Sequence, residues 1–319
     1  MLDVAGTMAE TQRAVRPLLA RWVVRTMPAK VNDLKTRFEP LHRERLQLLE
    51  RHHPNKGQEV PQDLLQMMMQ YAMRERPEEL TNVEDMTKRL AVSNFGTMHQ
   101  TIVTLHNLFL NLLDSNTEFD TISVLREEVT RVLGCGNDIA SKNWTKAKVA
   151  SMTRADSVAR ETLRVNSFIG RTVQRLVVAK EGVVTPDGIR LPQGTTVSIL
   201  AHQAQTDEEN VDAPLKFDPF RFSRLREAAR DPSTEKPGLN NLSFSSTSAD
   251  YLPFSHGKHA CPGRFLVDFE LKMIMAYAIM NYDMEFPESY GGKRPPITWF
   301  AGFGIPPLDA KIRVKRKAA

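Results

Sequence analysis

Phe254-Ser255-His256-Gly257-Lys258-His259-Ala260-Cys261-Pro262-Gly263-Arg264 carries more chemistry than any other stretch of this chain. An apolar helical pattern follows from Gly263 to Met280, and Pro262 suits the first turn of that helix. A helix opening beside Cys261 aims unpaired amides and the positive end of its dipole at the sulfur, which favours a negative charge there. Gly257 and Gly263 have no side chains, so a flat ligand and the backbone can approach closely. His256, His259 and Arg264 add donors. The residues alone leave three readings open. One is a buried cysteine ahead of a helix. Another is a zinc or copper site of His256, His259 and Cys261, which has only three close ligands and no clear fourth. The last is a thiolate ligand of a haem iron.

Upstream of this stretch the chain reads as helices. Val31 to His52 is amphipathic, with Leu34, Phe38, Leu41 and Leu48 at helical spacing. Pro61 opens a helix to about Arg76, where Pro77 follows. Asn82 or Asp85 caps a long helix to about Leu113. Its Leu90, Val92, Ile102, Leu105, Leu108 and Leu112 cover more than one face, which predicts a helix inside the core. Phe119–Leu133 and Lys146–Val165 read as two more. After Asn166, the segments Val173–Val178, Val183–Leu191 and Thr195–Leu200 are short, β-branched and separated by turn signals, which predicts a small sheet. Phe222–Tyr251, rich in Ser and Asn, reads as an irregular surface meander. The predicted class is mainly α with a small β-sheet, a single domain over 1–319. Its helical part covers about 1–165; the sheet, meander, Cys261 loop and final helix cover about 166–319.

Composition narrows the function. The chain has 319 residues, 41% hydrophobic and 25% charged, ordinary for a soluble globular protein. Lys plus Arg is 43 against 38 for Asp plus Glu, a net charge of +5, part of it in the Lys311–Lys317 stretch. No nucleic-acid-binding module accompanies that charge, so no nucleic-acid partner is expected. Cys135 and Cys261 do not make a disulfide framework, which points to a reducing compartment. Cys135 has no partner at metal-ligand spacing and reads as structural. No apolar run is long enough to span a membrane, and Met1–Arg13 lacks the pattern of a leader peptide.

The segment around Cys261 resembles the haem-binding loop of the cytochrome P450 family, whose signature is FxxGxxxCxG. Phe254, Gly257, Cys261 and Gly263 match its fixed positions. Two more motifs stand upstream in the family's order. Glu161 and Arg164 form an ExxR pair, and Phe217-Asp218-Pro219-Phe220-Arg221-Phe222 resembles the family's Pro-x-Arg-Phe box. The resemblance runs from about Pro17 and is strongest to fungal members. As residues alone, Glu161 and Arg164 are helix neighbours that read as an exposed pair. The resemblance implies a buried structural triad with Arg221.

The resemblance implies a bound haem with Cys261 as axial thiolate. It places Phe254, Gly257 and Gly263 around the cofactor and makes Arg171 and His259 candidates for its propionates. Phe168, Ile169, Phe300 and Phe303 become candidates for the substrate wall, although such residues are more often plain core than substrate contacts. Asn94–Thr101 resembles the family's oxygen-binding segment only in part. Gly96 takes the small position, His99 stands where an acid is usual, Gln100 stands where an alcohol is usual, and Thr101 follows. His99 can relay protons near neutral pH, whereas Gln100 holds a water without titrating. His99, Gln100 and Thr101 are the catalytic candidates.

The implied activity is insertion of one oxygen atom from dioxygen into a small lipophilic substrate, in fungal secondary metabolism. Electrons would come from an NADPH–cytochrome P450 reductase-type donor. The family is usually anchored to the endoplasmic reticulum. Its anchor and first helices have no counterpart here, and Trp22 and Arg25 do not replace that helix's propionate donors, so a truncated member, cytoplasmic or peripheral, is expected. Alternatives are a non-catalytic fragment with poor haem binding or, prompted by Gln100, a haem isomerase or peroxygenase.

Overall fold

The structure, a computed structural model, describes residues 16–51, 61–134, 144–229, 242–300 and 302–317. Cys135 and part of the predicted meander, 230–241, lie outside the described residues. The chain divides into two compact units, 1–99 and 100–319.

The first unit is helical. Helix α1 (Arg16–Arg51) runs through Pro28 and Pro40 and starts earlier than the predicted Val31. A proline removes one amide donor, and the helix continues on either side of it. Helix α2 (Leu64–Glu75) starts after Pro61, because Asp63 caps it by accepting from the Gln66 amide at 2.8 Å. Asp63 also pairs with Arg45 at 2.9 Å. The short α3 (Pro77–Leu80) leads into α4 (Val83–Phe119). Asn82 caps α4 by accepting from the Asp85 amide at 3.1 Å. Phe38, Leu65, Met69, Ala72 and Met86 form this unit's core.

Helix α4 is not a core helix along its whole length. Val92, Phe95, Met98 and Ile102 are exposed, Val92 by 72%. Met86 and Thr87 are buried near its start, no residue from Lys88 to Gln100 is, and from Thr101 onward one face is buried again, with Leu108 and Leu112 fully enclosed. The apolar residues that read as several buried faces are divided between an exposed stretch and a packed one.

In the second unit, that packed stretch joins α5 (Thr121–Leu133), α6 (Lys146–Ala150), α7 (Thr153–Val165) and α10 (Arg264–Asn281) around Leu125, Val129, Met152, Val158, Leu271 and Met275. The predicted helix Lys146–Val165 is broken at Ser151–Met152, where Met152 has ψ 79°. The cause is a cap from another helix. The buried Glu128 carboxylate of α5 accepts from the Arg154 amide at 2.8 Å and the Ala155 amide at 2.9 Å. It thereby satisfies the first donors of α7 and sits at the positive end of its dipole.

The predicted small sheet is divided into antiparallel pairs. β1 (Thr172–Leu176) pairs with β4 (Thr196–Ile199), and β2 (Val183–Val184) with β3 (Arg190–Leu191). A register shift between Thr172 and Arg175, with Val173 at φ +53°, marks a bulge. Further on, β5 (Tyr282–Glu285) pairs with β8 (Arg313–Arg316), and β6 (Thr298–Phe300) with β7 (Phe303–Ile305). Short helices α8 (Ala201–Gln205) and α9 (Arg221–Ala228) complete the described α-helices. The predicted meander therefore begins as a helix. The Phe222 and Ser223 amides at its start donate to Ser157 Oγ, each at 3.1 Å, which satisfies groups a helix start leaves open.

Glu128→Ala strands two amides at the start of α7, and denaturant unfolding is expected to show a loss of about 1–3 kcal/mol. Burial pushes the Glu128 carboxyl above the usual glutamate range, against the pull of those amides. The native state therefore keeps this proton to higher pH than the unfolded chain does. That contribution is full below the ordinary glutamate pKa and declines as pH rises through the raised one. Glu128→Gln should flatten this part of the stability–pH curve.

Candidate active site around Cys261

The loop carrying Cys261 is closed by its own backbone. The Cys261 amide donates to the Phe254 carbonyl at 2.8 Å, and the Ala260 amide to that of Gly257 at 3.0 Å. Gly257 has φ +72° with nothing within 4 Å of where a Cβ would stand. Glycine is favoured there by conformation, and the loop face beside it is open. A Cβ on Gly263 would stand 3.8 Å from Cys261 Sγ, so the sulfur lies close to the N-cap of α10. That helix begins at Arg264, and Pro262 and Gly263 form a turn before it. Arg264 locks the junction by donating to the Cys261 carbonyl at 2.7 Å and the Ser245 carbonyl at 3.0 Å. Phe254 packs edge-on against buried Phe244 at 5.2 Å.

An open glycine face and a half-buried free thiol at a helix mouth fit a flat cofactor with a sulfur ligand. The three-ligand metal reading does not fit the geometry. His256 Nδ1 is hydrogen-bonded to Thr247 Oγ1 at 2.9 Å. Among the described residues, no three His, Cys, Asp or Glu side chains converge on a metal-sized site.

Glu161, Arg164 and Arg221 are brought together in the interior, unlike the exposed pair that spacing alone suggested. Glu161 is fully buried and Arg164 is 1% exposed. Arg164 Nε donates to Glu161 Oε2 at 2.7 Å, its Nη2 to Oε1 at 2.8 Å, and Arg221 Nε to Oε1 at 3.1 Å. One carboxylate faces two guanidiniums, and backbone carbonyls supply the remaining acceptors. Arg164 reaches those of Gln205, Pro214 and Lys216, and Arg221 reaches that of Asp212. Every N–H of Arg164 is thereby matched, the condition under which a buried charge is tolerated.

Gln205, which no sequence pattern marked, connects this cluster to the loop. Its Nε2 donates to the Leu163 and Arg164 carbonyls at 3.3 and 3.1 Å, and its Oε1 accepts from the Leu252 amide at 2.9 Å. The Leu252 carbonyl accepts from the Ser255 amide at 3.0 Å. Ser255 sits at φ +62°, a strained angle that persists where neighbours impose it. The path from Glu161 to the backbone around Cys261 is therefore a run of hydrogen bonds.

Other side chains of α7 were also missed. Asp156 accepts from Lys272 at 2.6 Å, from Arg226 at 2.8 Å and from the Phe244 amide at 3.0 Å. Arg160 donates to the Ser243 carbonyl at 2.6 Å and lies 3.6 Å from the Tyr251 ring centre and 4.6 Å from that of Phe222. Burial pulls Arg160 down and pushes the Tyr251 phenol up. None of these contacts has a spacing visible in the sequence, whereas Lys272 also pairs with Asp268 at i,i+4 and 2.7 Å.

The remaining candidates are more dispersed. Arg171 and His259 are exposed and make no protein hydrogen bond among the described residues. His99 stacks on Phe95 with ring centres 5.4 Å apart. Gln100 is exposed, while its carbonyl accepts from Thr104 Oγ1 at 2.9 Å. Thr101 is buried. Phe168 and Phe303 meet at 5.4 Å.

A family model described as Cytochrome P450 matches residues 3–314. The chain is 45% identical over 98% of its length to a cytochrome P450 monooxygenase, pbrC, of Penicillium brasilianum, covering 58% of that protein. It is 44% identical to the monooxygenase astC of Aspergillus terreus over 98% of this chain and 58% of that protein. To tenB of Beauveria bassiana it is 42% identical over 96% of this chain and 56% of that one. The chain thus spans a little over half the length of these curated relatives.

Glu161→Ala leaves Arg164 buried without its counter-charge, and a loss of about 3–5 kcal/mol is expected in denaturant unfolding. Arg221→Ala should cost less, because Arg164 keeps both contacts to the carboxylate.

Proposed function

The chain belongs to the cytochrome P450 family, and on that premise we propose that it works as a haem-thiolate monooxygenase on a small lipophilic substrate, with Cys261 as the residue whose thiolate would hold the haem. The observation that carries this reading is Cys261 Sγ lying beside the α10 N-cap on a loop whose Gly257 face is open. When bound, haem supplies the dioxygen chemistry that places one oxygen atom into a C–H bond, with electrons from an NADPH–cytochrome P450 reductase-type donor.

The protein's own residues hold, orient and deliver protons. The Phe254–Cys261 hydrogen bond and the Arg264 lock fix the sulfur's loop. The unpaired amides of a helix start favour negative charge near the thiolate. Arg171 and His259, exposed and without a side-chain hydrogen bond to the described residues, are the donors available to the carboxylates of the cofactor's edge. In this reading His99 passes protons on, Gln100 holds a water, and Thr101 offers a hydroxyl. The fungal relatives support a place in fungal secondary metabolism. No described helix is long and apolar enough to cross a membrane.

The test is spectroscopic. The haem-loaded chain, reduced and exposed to carbon monoxide, should show the red-shifted Soret band of thiolate ligation, and Cys261→Ala should abolish it. A chain that takes up haem without that band would overturn the assignment of Cys261. Product formation supported by peroxide without reductase and NADPH would favour a peroxygenase instead.

A further inference from the structure

One face of α4 carries Asn107, Asn111 and Asp114 at i, i+4 and i+7, set among buried leucines. All three serve one residue, Arg294, four positions before strand β6. The Arg294 amide donates to Asp114 Oδ1 at 2.8 Å. Its Nη2 donates to Asn107 Oδ1 at 2.9 Å. Its Nη1 donates to Asn111 Oδ1 and, at 2.9 Å, to Asn166 Oδ1. Asn111 Nδ2 donates in turn to Asn166 Oδ1 at 2.8 Å and to Thr162 Oγ1 at 3.2 Å. The guanidinium is thus seated in three carboxamides, and its nearest carboxylate, Asp114, is engaged by its backbone. Burial pulls Arg294 down to about 10, and Asp114 holds it up in part.

Arg294 and Pro307 stand on either side of the β6–β7 hairpin. The Pro307 carbonyl faces His106 of the same helix and partly offsets the downward push of burial on that imidazole. The hairpin tip is sewn to the end of α7. Gly170 donates to the Gly302 carbonyl at 2.8 Å, Gly304 donates to that of Phe168 at 3.0 Å, and Ile169 bridges Phe303. The approach is so close that a Cβ on Gly304 would meet the Ser167 carbonyl at 2.6 Å. Asn166 belongs to the same segment, so Arg294 grips both strips of this wall and α4 at once. Phe303 and Trp299 remain 38% and 40% exposed on it, available to an apolar molecule.

We propose that Arg294 is a positioning residue. It sets the hairpin against α4 and the 166–170 segment, and so determines the size of molecule that the Phe168–Phe303 wall admits. The second half of this statement rests on the monooxygenase reading; the first does not. Arg294 touches neither substrate nor cofactor in this scheme and acts through the hairpin.

The experiment compares the full chain with Arg294→Lys, which keeps the charge but not the planar fork, and with Asn107→Ala, which removes a single acceptor. Hydrogen exchange reads the Gly170 and Gly304 amides, with the Cys261 amide as the internal reference. Both variants should exchange at Gly170 and Gly304 roughly ten-fold faster, with Cys261 unchanged. In the haem-loaded proteins, Soret titration with imidazole and 4-phenylimidazole gives the affinity ratio of a small and a large nitrogen base. That ratio should move by roughly ten-fold, with the carbon monoxide band of the reduced protein intact. Unchanged exchange at Gly170 and Gly304 would overturn the clamp. Faster exchange with an unchanged ratio would overturn the control of size. If the wild-type chain takes up no haem, the monooxygenase reading fails, while the exchange result still decides whether Arg294 holds the hairpin.

Discussion

A fully buried carboxylate, Glu161, stands between two guanidiniums, and much of the second unit is arranged to make that tolerable. Desolvating three charges is costly, and attraction alone repays it only when the leftover donors find acceptors. Here those acceptors are the carbonyls of Gln205, Pro214, Lys216 and Asp212. None belongs to a strand, and only Gln205 belongs to a helix. The ion cluster therefore dictates the course of an irregular stretch of backbone that has few hydrogen bonds of its own. Because Gln205 also serves Leu252, the same cluster reaches the loop that carries the thiol.

Helix α7 extends this logic over its whole length. It is buried almost all round, yet Asp156, Ser157, Arg160, Glu161 and Arg164 are polar. Each takes a different segment as its partner: Phe244 and α10 for Asp156, the start of α9 for Ser157, Ser243 for Arg160 and the Gln205–Arg221 stretch for the triad. A loop brought into a protein interior must find partners for its backbone groups. A polar helix in the centre supplies them at fixed points, where an apolar helix would offer area without position. The thiol loop inherits its placement from these fixed points.

What was legible in the sequence followed from local spacing. The Phe254–Gly263 pattern located the thiol loop, and the three-residue step from Glu161 to Arg164 put both on one face. Helix periodicity located α2, α4, α5 and α10 to within a few residues. Spacing is silent about partners far apart in the chain. Asp156 and Lys272, Gln205 and Leu252, and Arg294 and Asn107 had no local signature. The break before α7 escaped notice because its cap, Glu128, comes from another helix. The exposed half of α4 was misread because an apolar residue has the same periodicity whether or not anything covers it. The stripe Asn107–Asn111–Asp114 was visible as polar residues at i, i+4 and i+7 in an apolar helix, a pattern that asks for a buried polar partner.

Two arginines of this unit, Arg164 buried and Arg294 half-buried, are held in contrasting ways, and the contrast bears on what each can do. Arg164 meets a carboxylate and completes all its donors, so displacing it separates two buried full charges and leaves Glu161 with Arg221 alone. That penalty makes the α7 end and its attached loop resistant to local adjustment. Arg294 meets neutral carboxamides, and withdrawing it leaves polar but uncharged groups that ordered water can satisfy. Hydrogen bonds set its direction without the steep cost of separating full charges. A fold that keeps the Cys261 sulfur in one place while an apolar wall stays adjustable gains from this difference. The ionic seat lies on the path to Cys261, and the carboxamide seat lies under the hairpin.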